Sequence, residues 1–307
     1  MKIVVLLSSY NGEKFIKEQI DSILNQDVAK TMELSLLVRD DGSRDGTHVI
    51  LNEYQEKGLL TWYTGENLRP AKSFWHLVKT APVADYYAFC DQDDVWFPDK
   101  LSRAVDTIEQ CPKKDKPVLY CSAVTVTDAE LNPTGSLSAA YHAKDDLAYS
   151  LLYSVAPGCT FVFNAAAREE FLRYDMDKRF VVIHDWLAHK IVALKGTLIH
   201  DDKPGMYYRQ HGNNVIGSKR TGLKGFFDRV GRFLKDRSCV RSQVAKELLD
   251  VYGNDFSPED KQYQYLNIVA NYQTDRRLRN ALKKEKVFRT GTSQDFFLIC
   301  LITIRKI

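Results

Sequence analysis

The chain has 307 residues, of which 44% are hydrophobic, and its formal net charge is +3. This length allows one large α/β domain with an appended segment, and the composition supports a substantial core. The six cysteines form no C-x-x-C pair, which argues against a zinc site or a disulfide framework and favours a cytoplasmic protein. The apolar runs are all shorter than the roughly 20 residues that a membrane-spanning helix needs.

The first part of the chain alternates between short apolar runs and amphipathic segments. This alternation is typical of an α/β fold with a mostly parallel, Rossmann-like sheet flanked by helices. Up to residue 90, the predicted order is strand 3–8, helix 13–25, strand 34–39, helix 45–57, strand 60–64, helix 71–80 and strand 86–90. Beyond it, strands are predicted at 118–126, 159–163 and 197–200, and a helix is predicted at 184–194.

The two parts of the chain differ in net charge. Residues 216–307 contain 19 Lys and Arg against 10 Asp and Glu, whereas residues 1–215 contain 24 against 30. The basic part also has a helical pattern. We therefore predict an α/β domain over residues 1–217 and a basic helical extension over residues 218–307.

Three carboxylates, Asp91, Asp93 and Asp94, directly follow the apolar strand 86–90. Carboxylates this close repel one another unless a cation binds between them, and a hard divalent ion that also holds phosphate oxygens is a common solution. The carboxyl end of a strand is where open α/β sheets bind ligands. The sequence therefore predicts a metal and nucleotide site here. The other Asp-x-Asp pair, Asp175 and Asp177, ends a charged helical stretch and is interpreted as solvated surface.

A second polar turn, Asp40 to Thr47, follows the predicted strand 34–39. Its glycines allow a tight turn, and Ser43 or Asp45 can cap the next helix. A turn followed by a helix cap accounts for Gly42, Ser43 and Asp45, but it gives no role to Asp40. We predict that Asp40 binds a ligand, because a carboxylate at a strand end can accept a hydrogen bond from the N–H of a base.

Five motifs occur in an order that resembles the inverting family 2 glycosyltransferases of the GT-A fold. The resemblance covers residues 1 to about 217, and the segments Asn11–Phe15, Asp91–Trp96 and Tyr208–Asn214 are most similar to bacterial rhamnosyltransferases of cell-wall and surface polysaccharides. It implies a nucleotide-sugar-binding half built on a Rossmann-like sheet. The five motifs are Ser8-Ser9-Tyr10-Asn11-Gly12, Asp40-Asp41-Gly42-Ser43, Asp91-Gln92-Asp93-Asp94, His184-Asp185-Trp186 and Tyr208-Arg209-Gln210-His211.

The resemblance implies a role for each matching residue. Asp185 corresponds to the general base that removes a proton from the acceptor hydroxyl. Asp93, with His211, corresponds to the site of a Mg²⁺ or Mn²⁺ ion that bridges the donor diphosphate. The nucleotide sugar would be bound by Ser9 and Tyr10 in the base pocket, by Asp40 at the base N3–H and by Asp91 near the ribose and the metal. Independently of the resemblance, charge and position make Lys72, in the loop after the predicted strand 60–64, and Arg209 candidates for binding the diphosphate.

The residues by themselves leave alternatives open. Asp185 could simply begin the helix 184–194, and the adjacent His184 could have a structural role. Asp94 could support the metal ligands or cap the helix that opens after Pro98.

The predicted function is metal-dependent transfer of rhamnose from dTDP-rhamnose to a hydroxyl of a growing, lipid-linked surface polysaccharide. The alternatives are a UDP-hexose donor and a nucleotide-sugar-binding subunit without activity. Asp93 and Asp185 together argue against the second alternative, because a binding subunit needs no base. A dinucleotide oxidoreductase would need a Gly-x-Gly-x-x-Gly turn after the first strand, and residues 8–12 lack it.

The basic extension contains the cluster Arg276–Lys286, followed by the apolar run 296–304. The cluster lacks the interleaved aromatic residues on which nucleic-acid bases stack, so nucleic acid is not a predicted partner. Basic and apolar segments together favour an anionic membrane surface, which would place the protein on the inner face of the cell membrane. The alternatives are packing on the α/β domain and a homodimer contact.

Overall fold

The structure, a computed structural model, describes residues 1–137, 146–153, 156–180, 183–211, 239–284, 299–300 and 302–305. The chain divides into two compact units. The first contains Met1–Tyr141, Val155–Asp177 and Ile183–His211, and the second contains His142–Ser154, Lys178–Val182 and Gly212–Ile307. The predicted boundary at residue 217 lies outside the described residues and stays a prediction.

Four parallel strands form one half of the sheet in the first unit. Their order is β3-β2-β1-β4, and the buried apolar run of β1 lies at the centre. Parallel neighbours require crossover connections, and the helices that alternate with these strands supply them. The elements are β1 (Lys2–Ser9), α1 (Ile16–Leu24), β2 (Glu33–Asp40), α2 (Thr47–Glu56), β3 (Thr61–Thr64), α3 (Arg69–Thr80) and β4 (Tyr86–Asp91).

The other half of the sheet is mixed. Strand β8 lies antiparallel between β4 and β6, and β9 is parallel to β6 but antiparallel to β5. The expected parallel arrangement therefore applies to the first four strands, and antiparallel pairing extends the sheet beyond them. The elements are β5 (Val95–Trp96), α4 (Lys100–Glu109), β6 (Val118–Thr127), β7 (Pro133–Leu137), β8 (Val162–Asn164), α6 (Ala165–Arg173), α7 (His184–Lys195) and β9 (Thr197–Arg209).

Two elements differ from the sequence-based expectation. The strand predicted at 159–163 is a short 3-10 turn, Gly158–Thr160, followed by β8. The turn is closed by Thr160, whose hydroxyl donates to the carbonyl of Pro157 at 2.7 Å. Strand β9 continues nine residues beyond the predicted end at residue 200. The polar run Asp201–Lys203 hides this extension in the sequence, and its register against β6 shifts there.

The second unit is helical in its described residues. It contains α5 (Asp146–Leu152), α8 (Val240–Tyr252), α9 (Lys261–Asn271) and α10 (Arg276–Lys284). Leu248 of α8 and Leu266 of α9 are buried, and the hydroxyl of Ser242 donates to the carbonyl of Ala270 at 2.9 Å. Among the described helices, none is long and apolar enough to cross a membrane. Within the apolar run 296–304, residues 296–298 and 301 lie outside the described residues.

Candidate active site

The carboxyl ends of three neighbouring strands bring predicted site residues together. Ser9 at the end of β1 is paired in register with Asp40 at the end of β2, and Ser8 is paired with Asp91 at the end of β4. Parallel strands place their carboxyl ends on one edge of the sheet, and the first three sequence motifs therefore meet there.

Asp40 is fully buried, and its carboxylate accepts several internal hydrogen bonds. Donors include the hydroxyl of Ser9 at 2.9 Å and the main-chain N–H groups of Gly42 at 3.1 Å and Ser43 at 2.8 Å, and Nε2 of His48 lies 2.7 Å away. Burial alone would raise the pKa of Asp40, but hydrogen bonds from Ser43, His48 and Ser9 outweigh it and lower the pKa. Asp40 thus holds the turn after β2 in place. Its contact with a nucleotide base stays a prediction.

We expect Asp40→Asn to destabilise the fold by roughly 3 kcal/mol near neutral pH, because an amide nitrogen would face hydrogen-bond donors. The folded-state pKa of Asp40 is lowered, so its stabilisation is complete above the unfolded-state pKa and is lost as pH falls through the folded-state value. The difference from wild type should therefore shrink in acid. Urea unfolding at several pH values measures it, with the exposed Asp106→Asn as control. A difference independent of pH would contradict this role.

Asp41 has a structural role that the sequence analysis did not assign. It is buried, pairs with the guanidinium of Arg39 and accepts hydrogen bonds from the main-chain N–H groups of Leu68 at 3.1 Å and Arg69 at 2.8 Å. These bonds attach the turn after β2 to the start of α3. Lys72, one turn into α3, is partly exposed, and within the described chain its ammonium has no ion-pair partner. It therefore stays a candidate for the donor diphosphate.

Gln92 connects the loop after β1 to the loop after β4. Its side-chain oxygen accepts from the N–H of Tyr10 at 2.7 Å, and its amide donates to the Tyr10 carbonyl at 3.0 Å. A Cβ atom on Gly12 would lie only 2.5 Å from this oxygen, so any larger residue there would displace the Gln92 side chain from Tyr10. The side chain of Tyr10 is 46% exposed and remains accessible to a ligand.

Asp91, Asp93 and Asp94 form the acidic cluster of the site. Oδ2 of Asp93 lies 2.9 Å from Nε2 of His211, so the structure brings together the two predicted metal-site residues. Asp94 is fully buried, and its Oδ1 accepts from the main-chain N–H of Arg209 at 3.1 Å. Strand β5 separates Asp94 from α4, so the cap alternative for Asp94 is wrong.

The acidic cluster fits a divalent cation. Burial, with the charges of Asp93 and Asp185, raises the pKa of Asp91 to about 7. Burial, with the charges of Asp93 and Asp91, raises the pKa of Asp94 well above its ordinary range. Oδ2 of Asp94 is buried and has no hydrogen-bond partner among the described residues. Oxygens of Asp91 and Asp94 and the thiol sulfur of Cys159 lie within 4.8 Å of one another. A divalent cation would relieve the repulsion among these carboxylates.

Arg209 is almost completely buried and its guanidinium binds protein groups. Its Nε donates to the carbonyl of Asp93 at 2.8 Å, and other guanidinium nitrogens bind the carbonyl of Ala129 and the carboxylate of Glu18. The guanidinium carbon also lies 4.5 Å from the centre of the Phe15 ring. Arg209 therefore fixes the backbone of the acidic cluster. Direct contact between Arg209 and a diphosphate stays a prediction.

Asp185 lies in the first turn of α7, and its charge contributes to the raised pKa of Asp91. Its Oδ1 accepts from the N–H of Trp186 at 2.6 Å, and its Oδ2 accepts from the N–H of Gly158 at 3.2 Å. Burial raises the pKa of Asp185 to about 6. The side chain therefore begins the helix and also presents a carboxylate of raised basicity near Asp91.

The neighbouring His184 is a core residue. It is buried, its ring stacks on Phe74 at 4.0 Å between centres, and it meets the edge of Phe89 at 5.1 Å. Burial lowers its pKa to about 3, so the ring is neutral at physiological pH. These contacts favour the structural alternative for His184. A Cβ atom on Gly158 would lie 2.6 Å from its Nε2 and 2.8 Å from the Cβ of Asp185, so glycine is required there.

The second Asp-x-Asp pair lies on the surface, as predicted. Asp177 and Asp175 pair with the ammonium of Lys79 at 2.7 and 3.7 Å, and all three side chains are substantially exposed. Exposed ion pairs of this kind contribute little to stability.

Comparison with solved structures identifies the fold. The crystal structure of TarS residues 1–349 from S. aureus matches with a TM-score of 0.59 and 18% identity, over 100% of this chain and 81% of that one. Mannosyltransferase PcManGT from Pyrobaculum calidifontis, solved with GDP-Man and Mn²⁺, matches with a TM-score of 0.52 and 16% identity, over 99% and 79% of the two chains. The chain thus has the GT-A fold expected from the sequence.

Sequence comparison identifies the family. The dTDP-rhamnosyl transferase RfbG of Shigella flexneri is 29% identical over 270 residues, which cover 78% of this chain and 88% of the relative. The model of Glycosyl transferase family 2 matches residues 4–171, more than half of the chain. The chain belongs to glycosyl transferase family 2 and is a glycosyltransferase, as its motif order predicted.

Proposed function

We propose that this glycosyltransferase transfers rhamnose from dTDP-rhamnose, with inversion, to a hydroxyl of a lipid-linked surface saccharide. The similarity to the dTDP-rhamnosyl transferase RfbG over most of both chains is the observation that favours this donor. Asp185 has a raised pKa, and its charge acts on Asp91 of the acidic cluster. This favours catalysis over donor binding alone, because a binding subunit needs no basic carboxylate beside its phosphate site.

Each residue has a distinct task in this proposal. Asp93 and His211, together with Asp91, would hold Mg²⁺ or Mn²⁺, while Ser9, Tyr10 and Asp40 would form the base pocket. A bound divalent ion would offset the charge that develops on the leaving diphosphate. Asp185 removes the proton of the acceptor hydroxyl as the hydroxyl oxygen attacks the anomeric carbon of the donor. Its raised pKa suits this task, since a more basic carboxylate accepts the proton more readily.

A donor panel tests the proposal. dTDP-rhamnose, UDP-glucose, UDP-GlcNAc and GDP-mannose are compared with and without Mn²⁺ for thermal stabilisation and for slow hydrolysis of the sugar. We expect dTDP-rhamnose with Mn²⁺ both to raise Tm most and to be turned over, because a ligand stabilises the state that it binds. Turnover of a UDP-hexose in preference to dTDP-rhamnose would establish the alternative donor. Binding without turnover of any donor, tested with saccharide acceptors present, would indicate a binding subunit.

The pH dependence of turnover follows from Asp185. The base must be ionised, so we expect kcat/KM to fall about tenfold per pH unit below roughly pH 6 and to be level above it. Initial rates at saturating Mn²⁺ between acid and neutral pH measure this profile. A profile that is level through the acid range would contradict a base with the pKa of Asp185.

A lipid-linked acceptor would require the enzyme to reach a membrane surface, and α10 is the described segment suited to it. Arg276, Arg277 and Lys284 are exposed on this helix, whereas Leu282 is buried. Basic residues near an anionic leaflet contribute about 1 kcal/mol each. We propose that these residues bind the inner face of the cell membrane. Packing on the domain and a homodimer contact are the alternatives.

Vesicle flotation distinguishes these alternatives. At low salt, the wild type should float with phosphatidylglycerol vesicles but not with neutral phosphatidylcholine vesicles. The combined change Arg276→Glu, Arg277→Glu and Lys284→Glu should abolish flotation. The matched change Lys57→Glu, Lys113→Glu and Lys116→Glu, at exposed positions of the first unit, should not. If the wild type stays at the bottom of the gradient, the membrane proposal is wrong, and a dimer by light scattering would establish the homodimer.

A further inference from the structure

Lys100, the first residue of α4, is a charged residue to which the sequence analysis gave no role. Its side chain is fully buried in the first unit. Lysine is almost never fully buried unless its charge is compensated. The groups around its ammonium therefore indicate what the charge does.

The direct contacts of the ammonium are uncharged. Nζ donates to the main-chain carbonyl of Cys159 at 2.7 Å and lies 3.3 Å from the centre of the Trp96 ring. The carboxylates of the acidic cluster lie next to this contact, because oxygens of Asp91 and Asp94 and the sulfur of Cys159 are within 4.8 Å of one another. Burial lowers the pKa of Lys100 to about 8, and the neighbouring thiols and carboxylates oppose this shift.

The hydrogen bond to Cys159 connects Lys100 to the base. Cys159 lies in the turn Gly158–Thr160, and the N–H of Gly158 in that turn donates to Oδ2 of Asp185 at 3.2 Å. The turn Gly158–Thr160 therefore connects Lys100, at the start of α4, to the carboxylate of Asp185. A displacement of this turn would move a hydrogen-bond donor of the base.

We propose that Lys100 is a positioning residue with two tasks: it is the resident cation of the acidic cluster, and it holds the turn Gly158–Thr160 against Asp185. The inference rests on the cation site and the base of the proposed function. It extends that proposal by assigning part of the charge compensation to the protein itself. The negative charge of the acidic cluster is then neutralised partly by Lys100, and a bound divalent ion would neutralise the rest.

Two substitutions separate the tasks. Lys100→Gln removes the charge but keeps a donor for the Cys159 carbonyl, whereas Lys100→Met removes both. Without the resident cation, Mn²⁺ should bind more favourably, so the rise in Tm on adding Mn²⁺ alone should be about twice that of wild type in both variants. At saturating Mn²⁺, kcat of Lys100→Met should fall by about 10²-fold with a donor KM near that of wild type, because the base is displaced. Lys100→Gln should retain more of kcat.

Arg168→Met is the matched control. Arg168 is also a buried cation that donates to main-chain carbonyls, those of Val78 and Ala81 at 3.0 Å, and it lies over an aromatic ring, that of Tyr87. It is bonded to no carboxylate of the acidic cluster. Its substitution should lower Tm but leave the Mn²⁺-dependent rise unchanged.

The outcomes distinguish this inference from the proposed function. If Lys100→Gln shows the same Mn²⁺-dependent rise as wild type, or if Arg168→Met shows an equal increase, the assignment of Lys100 is overturned while the cation site stands. If the wild type shows no rise with Mn²⁺ or Mg²⁺, the cation site and this inference fall together. Should Lys100→Met fail to fold, Lys100→Gln alone decides, because it preserves the donor.

Discussion

Asp185→Asn is expected to lower kcat by between about 10² and 10⁴, the range associated with loss of a general base. The amide can still accept the N–H of Trp186 through its oxygen, so the start of α7 should persist. It has no lone pair of comparable basicity, and its nitrogen would face the N–H of Gly158. Transfer rates at saturating donor and acceptor measure the loss, and donor affinity should stay close to that of wild type.

Asp185→Ala is the companion variant. If Asp185 acts as the base, both variants lack it and should lose activity to a similar extent, and thermal denaturation should show that both remain folded. Asp177→Asn, in the surface pair with Lys79, serves as a control that changes a carboxylate away from the chemistry. If Asp185→Asn keeps more than about a tenth of wild-type turnover, the base lies elsewhere.

Asp93→Ala is expected to abolish both transfer and the stabilisation of the protein by Mn²⁺ with a nucleoside diphosphate. A ligand present at 100 times its Kd stabilises by about 2.7 kcal/mol, and this whole increment should disappear. The metal-free variant should be at least as stable as wild type. The charge of Asp93 raises the pKa of both Asp91 and Asp94, so its removal relieves repulsion within the acidic cluster.

The surface pair provides a matched control for this experiment as well. Asp177→Ala changes the second residue of an Asp-x-Asp pair that is bound to Lys79, so it should leave the metal-dependent rise in Tm intact. Thermal denaturation with chelator, with Mn²⁺ and with Mn²⁺ plus nucleotide gives the comparison. An Asp93→Ala protein that keeps the wild-type rise would remove Asp93 from the metal site.

The parallel half of the fold could be predicted because each of its elements carries a local signal. The strands β1, β2 and β4 are apolar runs with buried residues on both faces, and amphipathic helices lie between them. The mixed half could not be predicted so well. Strand β5 has two residues and exists because it pairs with β9, and the end of β9 exists because it pairs with β6. Such pairings depend on distant segments, so periodicity does not reveal them.

The site shows the same division. The order of the motifs identified Asp93, His211 and Asp185 as candidates. In the structure, Asp93 contacts His211, and the charge of Asp185 acts on Asp91. Lys100 was missed because a lysine at the start of a helix ordinarily lies in water, and its burial results from tertiary packing. Arg209 was selected for its charge alone. Its internal bonds to Asp93 and other backbone groups become visible only when the strands are assembled.

The contacts of Arg209 also set the order in which a newly made chain can become active. Arg209 binds Glu18, 191 residues earlier, and His211 meets Asp93 across 118 residues. A chain that has not yet reached the end of β9 contains β1 to β4 and the acidic cluster but lacks both Arg209 and His211. Closing such long loops is slow because their entropy is lost before the contacts form. We therefore expect a chain that stops before β9 to be inactive, because it lacks both partners of the acidic cluster.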